Sequence, residues 1–380
     1  MALRVAFIGG GSGGHLYPAV AIAQELLSQN PESRFLFLTS HRPVDRMVLS
    51  ASGVSCATSQ IVPYAAFAPA RGLLNTAAHF LSLWHSFRLA RHVLKTFQPN
   101  VVVGLGAQAS VPGVVAGSRL GLPVVLLEQN SLPGRATRML SRRAQLTVFG
   151  LQVPDDRLHE WPSLTKTCGT PVRADIGELA KLPVHHISER KRILILGGSQ
   201  GSESLNRIVT TAFCTGPQVP PDWKIVHQTG EAQVSAIHTK YLQHGVEARV
   251  AAFLPDMSAE LAEAGIVISR AGAVTIQELA CAGIPSILIP LSTAAENHQM
   301  LNARLLEHIG AAVVIDERNL EGGNSLTNAA AMLLGNSDVR QRMAYAVRSL
   351  ATPRAATEIA TVLCDVAAQY ACLRKGGRNQ

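Results

Sequence analysis

The residues best suited to chemistry lie around two glycine-rich segments. The first reads Gly9-Gly10-Gly11-Ser12-Gly13-Gly14-His15 and the second Gly197-Gly198-Ser199-Gln200-Gly201-Ser202, each directly after a short apolar run. Glycine between a strand and a helix lets the backbone approach a phosphate, and the helix amino terminus then offers free N–H groups and a positive dipole end. Both segments therefore predict anion binding, although tight turns need glycine for steric reasons too.

His15 ends the first segment, where a helix would begin and where an open α/β sheet usually binds its ligand. An imidazole there could deprotonate a hydroxyl, because its unperturbed pKa is about 6.5. Position alone favours a histidine that forms a local hydrogen bond at a helix start. A base is the alternative, and family resemblance, described below, favours it.

Polar side chains follow other strand-like runs. Glu128-Gln129-Asn130 comes directly after Val124 to Leu127, on the usual ligand side of a sheet. Asn297-His298-Gln299, with Asn302, opens a helix after another such run and suits sugar hydroxyls as well as an ordinary helix start. The first cluster favours a functional role, whereas the second leaves both interpretations open.

A third strand-to-helix turn reads Arg270-Ala271-Gly272-Ala273-Val274-Thr275-Ile276-Gln277-Glu278. Taken alone, Thr275-x-x-Glu278 predicts a capping box, with Glu278 in the first helical turn. A carboxylate near a nucleotide can instead accept hydrogen bonds from both vicinal ribose hydroxyls.

Other reaction classes find less support. Gly9-x-Gly11-x-x-Gly14 fits the dinucleotide fingerprint, but the predicted second strand ends in Thr39-Ser40-His41-Arg42, without the acid that holds the ribose of NAD. Arg42 leaves an NADP-linked oxidoreductase as an alternative. The acids Asp155-Asp156 fall in a predicted loop, and no Asp-x-Asp pair or nucleophile elbow occurs, so we expect no metal and no cofactor.

Composition narrows the partners. The formal net charge of +8 predicts anionic partners, but no zinc-finger spacing or aromatic-interleaved basic stripe indicates nucleic acid. The six cysteines are scattered, as in a reduced cytoplasmic protein. Neither a signal-peptide core nor an apolar run of the about 18 residues that span a bilayer is present. We therefore expect a location in the cytoplasm, and docking to a membrane surface stays an open alternative.

The stretch Gly72 to Phe97 is amphipathic and flanked by cations such as Arg88. Most of its apolar residues fit a core, but Leu73, Leu74 and Trp84 could be exposed beside the cations, as in a protein that rests on anionic lipid. A non-catalytic membrane-surface module with degenerate loops is thus another hypothesis, beside the NADP-linked oxidoreductase.

Strand-like and helical runs alternate along the chain, which predicts α/β architecture with doubly wound parallel sheets. The pattern restarts at residue 192, where Arg192 to Ser202 resembles Arg4 to Gly14. At 380 residues the chain also exceeds what one core usually supports. We therefore predict two Rossmann-like domains facing across a cleft, residues 1–175 and 190–353, and a last helix over 354–373 that could cross back to the first.

In combination, six motifs resemble the MurG family of bacterial cell-wall N-acetylglucosaminyltransferases over nearly the whole chain. They are Gly10-Gly11-Ser12-Gly13-Gly14-His15-x-x-Pro18, Glu128-Gln129-Asn130, Gly169-x-Pro171-Val172-Arg173, Gly197-Gly198-Ser199-Gln200-Gly201, Arg270-x-Gly272-Ala273-x-Thr275-x-x-Glu278 and His298-Gln299-x-x-Asn302-Ala303. The resemblance implies the GT-B glycosyltransferase fold and a peripheral enzyme at the cytoplasmic face of the inner membrane. Its implied reaction is inverting, metal-free transfer of N-acetylglucosamine from UDP-N-acetylglucosamine to the 4-hydroxyl of N-acetylmuramate in lipid I, giving lipid II.

The resemblance also implies roles for individual residues. His15 would be the general base, Glu278 would hold the ribose, and the backbone near Phe253-Leu254 would hold the uracil. The remaining donor contacts would be Ser12, Gly13, Gly14, Asn130, Arg173, Ser199, Ala273, Val274, Thr275 and Gln299. On the acceptor side we expect Glu128, Gln108 and Ser110.

One motif departs from the family pattern. Members usually carry a third glycine loop of the form Gly-x-Gly-Gly-Tyr-x-Ser, whereas this chain reads Gly104-Leu105-Gly106-Ala107-Gln108-Ala109-Ser110. Ala107 and Gln108 thus replace a glycine and an aromatic residue on the side expected to hold the acceptor pyrophosphate. The hydroxyl of that aromatic residue has no counterpart here.

Overall fold

The computed structural model describes residues 2–54, 59–65, 73–153, 158, 161–198, 201–216, 219–293, 297–319 and 324–376. They form two compact units, which we call unit 1 (Met1–Arg173 with Arg354–Gln380) and unit 2 (Ala174–Pro353). Each unit has its own parallel sheet and its own apolar core. The fold is thus α/β, with two parallel-sheet domains.

Unit 1 contains seven parallel strands in the order β3-β2-β1-β4-β5-β6-β7. They are β1 (Arg4–Ile8), β2 (Arg34–Ser40), β3 (Ser59–Ala65), β4 (Val101–Gly104), β5 (Val124–Glu128), β6 (Leu146–Phe149) and β7 (Leu164–Thr167). Its helices are α1 (Gly13–Gln29), α2 (Pro43–Ser50), α3 (Leu73–Phe97), α4 (Val111–Arg119), α5 (Arg135–Leu140) and α14 (Ala355–Gly376). The central strands are buried on both faces because helices cover the sheet, hence their uninterrupted apolar sequences.

The last helix, α14, belongs to unit 1 although it follows unit 2 in sequence. It packs beside α1, and Ile359 and Leu363 join the core that contains Phe7 and Leu16. The chain therefore crosses between the units twice.

Unit 2 contains six parallel strands in the order β10-β9-β8-β11-β12-β13. They are β8 (Arg192–Leu196), β9 (Lys224–Gln228), β10 (Ala248–Ala251), β11 (Ile266–Ser269), β12 (Ser286–Leu288) and β13 (Ala312–Val314). Its helices are α6 (Ala174–Glu178), α7 (Glu203–Thr215), α8 (Val234–Gln243), α9 (Met257–Glu263), α10 (Ala273–Ala282), α11 (His298–His308), α12 (Asn324–Gly335) and α13 (Ser337–Arg348). In both sheets the strand order reverses beside the first strand, β1 or β8, and such switch points are where open α/β sheets bind ligands.

The polar stretch that follows Arg173 is ordered against unit 2. After α6 it forms 3-10 turns at Leu179–Lys181 and Val184–Ser188. Arg340, buried and stacked 5.0 Å from the Trp223 ring centroid, donates to the Ser188 carbonyl at 2.9 Å. Arg348 donates to the carbonyls of Leu182 and Ala180. Side chains far along the chain thus satisfy this segment's backbone.

Candidate active site

The first glycine loop is held in a conformation that requires glycine. Gly9, Gly10 and Gly11 have φ angles of 141°, 151° and 92°, which side chains rarely adopt. A Cβ on Gly10 would lie 2.5 Å from Oδ2 of Asp45. Close packing against α2, in addition to any ligand, therefore accounts for this glycine.

Asp45 holds this loop in place, a role that sequence reasoning did not assign to it. Its completely buried carboxylate accepts hydrogen bonds from the Gly11 N–H at 2.8 and 3.0 Å and from the Ser40 N–H and hydroxyl at 3.0 and 2.6 Å. Arg42 donates from Nη1 to the Gly11 carbonyl at 2.9 Å. The only signal in the sequence was an acid two residues after Pro43, in the first turn of a helix, and many helices share this feature.

His15 lies where two loops of unit 1 meet. It occupies the first turn of α1, and its Cε1 and Nδ1 lie 3.6 and 3.7 Å from the position a Cβ would take on Gly106. Ser12 is the N-cap of α1 but makes no side-chain cap, and Gly14 is exposed. The imidazole thus stands, half-buried, at the carboxyl edge of β1 and β4.

The acceptor-side candidates differ in what they can offer. Gln108 is exposed, whereas Ser110 is buried and donates to the Ala107 carbonyl at 2.8 Å. Ala107 keeps a positive φ of 54° with ψ of 167°, where the family pattern has glycine. The buried Tyr64 of β3 donates to the Ala109 carbonyl and accepts from the Gly113 N–H at 3.3 Å, which fixes the loop from behind. Of the two predicted side chains, Gln108 is the one on the surface.

Glu128 organises the loop that carries Asn130. Its buried carboxylate accepts from the Asn130 N–H and Nδ2, both at 3.1 Å, from the Gly134 N–H at 3.0 Å and from the Thr137 hydroxyl at 2.7 Å. With four donors already bound, Glu128 orients Asn130 within this structure. Arg173, at the end of unit 1, lies over the Tyr17 ring, with Cζ 5.4 Å from its centroid.

The second glycine loop also packs tightly, against the end of β9. A Cβ on Gly197 would lie 2.8 Å from the Gln228 carbonyl oxygen, and one on Gly201 would lie 2.3 Å from that of Thr229. Gly201 has a φ of 75°. Ser199, the predicted diphosphate contact, lies outside the described residues, as do Gln200, Asp155 and Asp156.

The turn into α10 does not contain the capping box predicted for Thr275 and Glu278. Gly272 is the N-cap and has no side-chain cap, so Thr275 is the third helical residue and the predicted capping box does not form. Glu278 lies in the second turn instead of the first. Thr275 and Glu278 are half-buried at i and i+3, so they share the open face of a helix whose other early residues, Ala273 and Val274 among them, are buried. That face suits a ligand.

Gln299, a predicted donor contact, and Asn302, from the same motif, both form hydrogen bonds with the backbone. The side-chain oxygen of Gln299, in the first turn of α11, accepts from the Leu291 N–H at 3.0 Å, so its NH₂ group is the part that could reach a sugar hydroxyl. Asn302, completely buried, donates to the Ala271 carbonyl at 3.3 Å and links α11 to the turn before α10. After β10, Phe253 is exposed and Leu254 is buried.

A partly buried ion pair lies behind these loops. Arg270 and Glu317 approach to 2.9 Å, with both side chains 12% exposed. Arg270 belongs to a predicted motif, whereas no sequence signal pointed to Glu317. Among the described residues, no group of three or more His, Cys, Asp or Glu side chains is arranged to hold a metal ion.

Comparisons with known proteins agree with this arrangement. The profile of the glycosyltransferase family 28 N-terminal domain matches residues 5–148, and that of the family 28 C-terminal domain matches residues 192–359. An Anaeromyxobacter dehalogenans (strain 2CP-C) protein named UDP-N-acetylglucosamine–N-acetylmuramyl-(pentapeptide) pyrophosphoryl-undecaprenol N-acetylglucosamine transferase is 34% identical over 96% of this chain and 93% of the relative. A Shewanella amazonensis protein of the same name is 32% identical over 96% of this chain and 98% of its own length.

Solved structures give the same result. The crystal structure of Acinetobacter baumannii MurG is 27% identical, with a TM-score of 0.75 over 96% of this chain and 99% of that one. A UDP-glucosyltransferase from Polygonum tinctorium is 14% identical, with a TM-score of 0.68, and shows the shared GT-B fold alone. Because full-length relatives exceed 30% identity and both halves match family 28, the chain belongs to the MurG family of glycosyltransferases.

Proposed function

We propose that this protein transfers N-acetylglucosamine from UDP-N-acetylglucosamine to the 4-hydroxyl of N-acetylmuramate in lipid I, an undecaprenyl-pyrophosphate-linked acceptor, to form lipid II for the cell wall. The observation that carries this proposal is the full-length match, 34% identical over 96% of the chain, to a protein named for that reaction. The positions of the candidate residues at the carboxyl edges of the two sheets support it.

Unit 2 binds the donor in this proposal. Glu278 accepts the ribose hydroxyls, the backbone at Leu254 holds the uracil, and the turn Ala273 to Thr275 contacts the diphosphate and sugar. The amino termini of α7 and α10 stabilise the charge that develops on the departing UDP, because their N–H groups and dipoles are already oriented. Ser199 and Gln299 complete the donor contacts of unit 2.

His15 of unit 1 takes the proton from the acceptor 4-hydroxyl. The oxygen attacks the anomeric carbon as the bond to UDP breaks, so the configuration inverts. The acceptor side uses Gln108 rather than the aromatic residue of the family pattern, with Ser110 and Glu128 shaping the loops around it.

The two alternative hypotheses have lost their support. The guanidinium of Arg42 donates a hydrogen bond to the Gly11 carbonyl, so this contact does not support the role of binding an NADP 2′-phosphate. The full-length relatives are named as transferases, which favours neither an oxidoreductase nor a non-catalytic module.

We further propose that α3 contacts an anionic membrane surface. No helix among the described residues is long and apolar enough to cross a membrane. On α3, Leu81 and Trp84 are 67% and 57% exposed, and the Arg88 guanidinium lies 4.6 Å from the Trp84 ring centroid. An exposed aromatic residue beside a cation suits the headgroup region of a bilayer. The side chains of Leu73 and Leu74 lie outside the described ones.

The direct test is a transfer assay. Purified protein is incubated with UDP-N-acetylglucosamine and a lipid I analogue, and UDP release and the disaccharide product are measured together. We expect both in equal amounts. Release of UDP without disaccharide, or no reaction by folded protein, contradicts the proposal.

A further inference from the structure

The turn after β11 is joined to two neighbouring loops through a single guanidinium. Arg270 donates to the Ser202 hydroxyl from Nε at 3.2 Å and from Nη2 at 3.0 Å, and to the Ser204 hydroxyl at 2.6 Å. It also donates from Nη1 to the Ile289 carbonyl at 2.9 Å. Ser202 and Ser204 lie at the start of α7, after the second glycine loop, and Ile289 follows β12.

Glu317, after β13, extends this network to a fourth loop. Its Oε1 accepts from Arg270 Nη2 at 2.9 Å, and its Oε2 accepts from the Ser292 N–H at 3.1 Å. Burial would raise the pKa of this carboxyl, but hydrogen bonds from Arg270, Ser204 and the Ser292 N–H outweigh it and lower the pKa to about 2. Glu317 is therefore charged at neutral pH.

The network also changes how α7 begins. Ser202 is the N-cap residue, yet its hydroxyl makes no cap hydrogen bond to α7, because it accepts from Arg270 instead. The two hydroxyls at this helix start are therefore bound to the guanidinium that Glu317 contacts. Misplacing a binding group by about 1 Å can cost a reaction about 10²-fold, so the fixing of these loops matters for a charged ligand.

We propose that Glu317 is a positioning residue of the donor site. It holds Arg270, and Arg270 joins four strand-end loops of unit 2 so that their N–H groups have fixed positions for the donor diphosphate. This inference rests on the proposed function, since it assumes that unit 2 binds UDP. Glu317 itself contacts no substrate in this proposal. A buried ion pair often stabilises a fold no better than an apolar pair would, but an apolar pair has no donors or acceptors to join four loops.

The test separates the diphosphate from the rest of the ligand. The affinities of UDP and of uridine are measured for the full chain and for Glu317→Gln and Glu317→Ala. The matched control is Asp316→Asn, which breaks the adjacent surface pair with Arg318, whose side chain is 64% exposed. We expect UDP to bind the Glu317 variants about 10- to 100-fold more weakly, the range seen when residues that orient metal ligands are removed. Uridine affinity and the control variant stay unchanged.

The proposal is wrong if both Glu317 variants keep the unaltered ratio of UDP to uridine affinity, whether neither affinity falls or both fall equally. If the unaltered protein binds no UDP, the proposed function fails instead, and the two failures are thereby distinguished.

Hydrogen exchange on the unaltered chain adds a test that does not depend on variant folding. We expect two amides to be protected before UDP is added, because the ion pair already orders the groups that accept from them. They are the Ser292 amide, which donates to Glu317 at 3.1 Å, and the Asn206 amide, which donates to the Ser202 carbonyl at 2.8 Å. Rapid exchange there in the free protein contradicts a positioning role.

Discussion

The two glycine loops are near-repeats in sequence, but opposite charges lie behind them. In unit 1 the buried carboxylate of Asp45 binds the Gly11 N–H, so one of the loop's amides is already engaged by an anion. In unit 2 the guanidinium of Arg270 binds the hydroxyls of Ser202 and Ser204, and the helix start they belong to has a cation behind it.

This difference separates two functions that the glycine pattern alone leaves equal. The Gly11 amide is already bound by Asp45 and is not available to a phosphate, whereas the side chain that contacts the unit 2 helix start is a guanidinium whose charge is balanced by Glu317. The unit 1 loop is accordingly better suited to presenting His15 to a neutral hydroxyl, and the unit 2 loop to holding a diphosphate. Similar backbone turns acquire different chemistry from the side chains packed behind them.

Replacement of His15 breaks the unit 1 side of this comparison with the largest expected effect. His15→Ala removes the proposed base, and we expect kcat to fall by about 10²- to 10⁴-fold in steady-state transfer assays. UDP affinity should be unchanged, because the imidazole contacts the acceptor hydroxyl and not UDP in this proposal. His244→Ala, at the exposed end of α8, is the control. Undiminished transfer by His15→Ala would remove the base assignment.

Removal of Asp45 tests whether the first loop depends on its buried anion. Asp45→Ala leaves the N–H groups of Gly11 and Ser40 without their acceptor, and we expect the free energy of unfolding to fall by about 3 kcal/mol in urea titrations. Asp222→Ala is the matched control, since that carboxylate is 59% exposed and only approaches Lys191 at 3.5 Å. Equal losses for the two variants would show that Asp45 has no special role.

Asp45 and Glu317 show the limit of what could be predicted from the sequence. The alternation of apolar runs and glycine turns was enough to predict most of the strands and the positions of both glycine loops, because parallel strands buried on both faces are apolar throughout. Asp45 and Glu317 were missed because their contacts join residues 34 and 47 positions apart, and no local spacing records such a pairing.

Where local patterns failed, tertiary structure was the reason. Strand β7 was not predicted, because all four of its residues are exposed at the sheet edge and none shows a buried face. The spacing of Thr275 and Glu278 predicted a helix start, but Gly272 is the N-cap and the two side chains lie further along the helix. The spacing identified two residues on one face of α10 but not their position along the helix.

Glu278 offers a sharper test of the unit 2 side. Loss of hydrogen bonds to a charged group should weaken UDP binding by Glu278→Ala about 10-fold or more, measured by calorimetry. With 2′-deoxy-UDP the difference between the variant and the unaltered protein should shrink, because one ribose hydroxyl is already absent. Glu247→Ala is the control, because this exposed carboxylate precedes β10 and so lies at the opposite edge of the unit 2 sheet. Equal losses for UDP and its deoxy analogue would contradict a ribose contact.

The smallest expected effect concerns strain in the third glycine loop. In the unit 2 loop the described positive φ angles, 82° and 75°, belong to Gly198 and Gly201, whereas unit 1 places Ala107 at a φ of 54°. Such a conformation costs a residue with a side chain about 1 to 3 kcal/mol, which exceeds the entropy that glycine adds to the unfolded chain. We therefore expect Ala107→Gly to raise the free energy of unfolding by about 1 kcal/mol.

Ala116→Gly, within α4, is the control and should lower the free energy of unfolding by about 1 kcal/mol, because glycine is unfavourable in a helix interior. If both substitutions destabilise the protein equally, Ala107 is not strained. If Ala107→Gly stabilises the fold and also slows lipid I transfer, the strain holds Gln108 in place for the acceptor. Unit 1 would then differ from unit 2 in using a strained side-chain position where the second loop uses glycine.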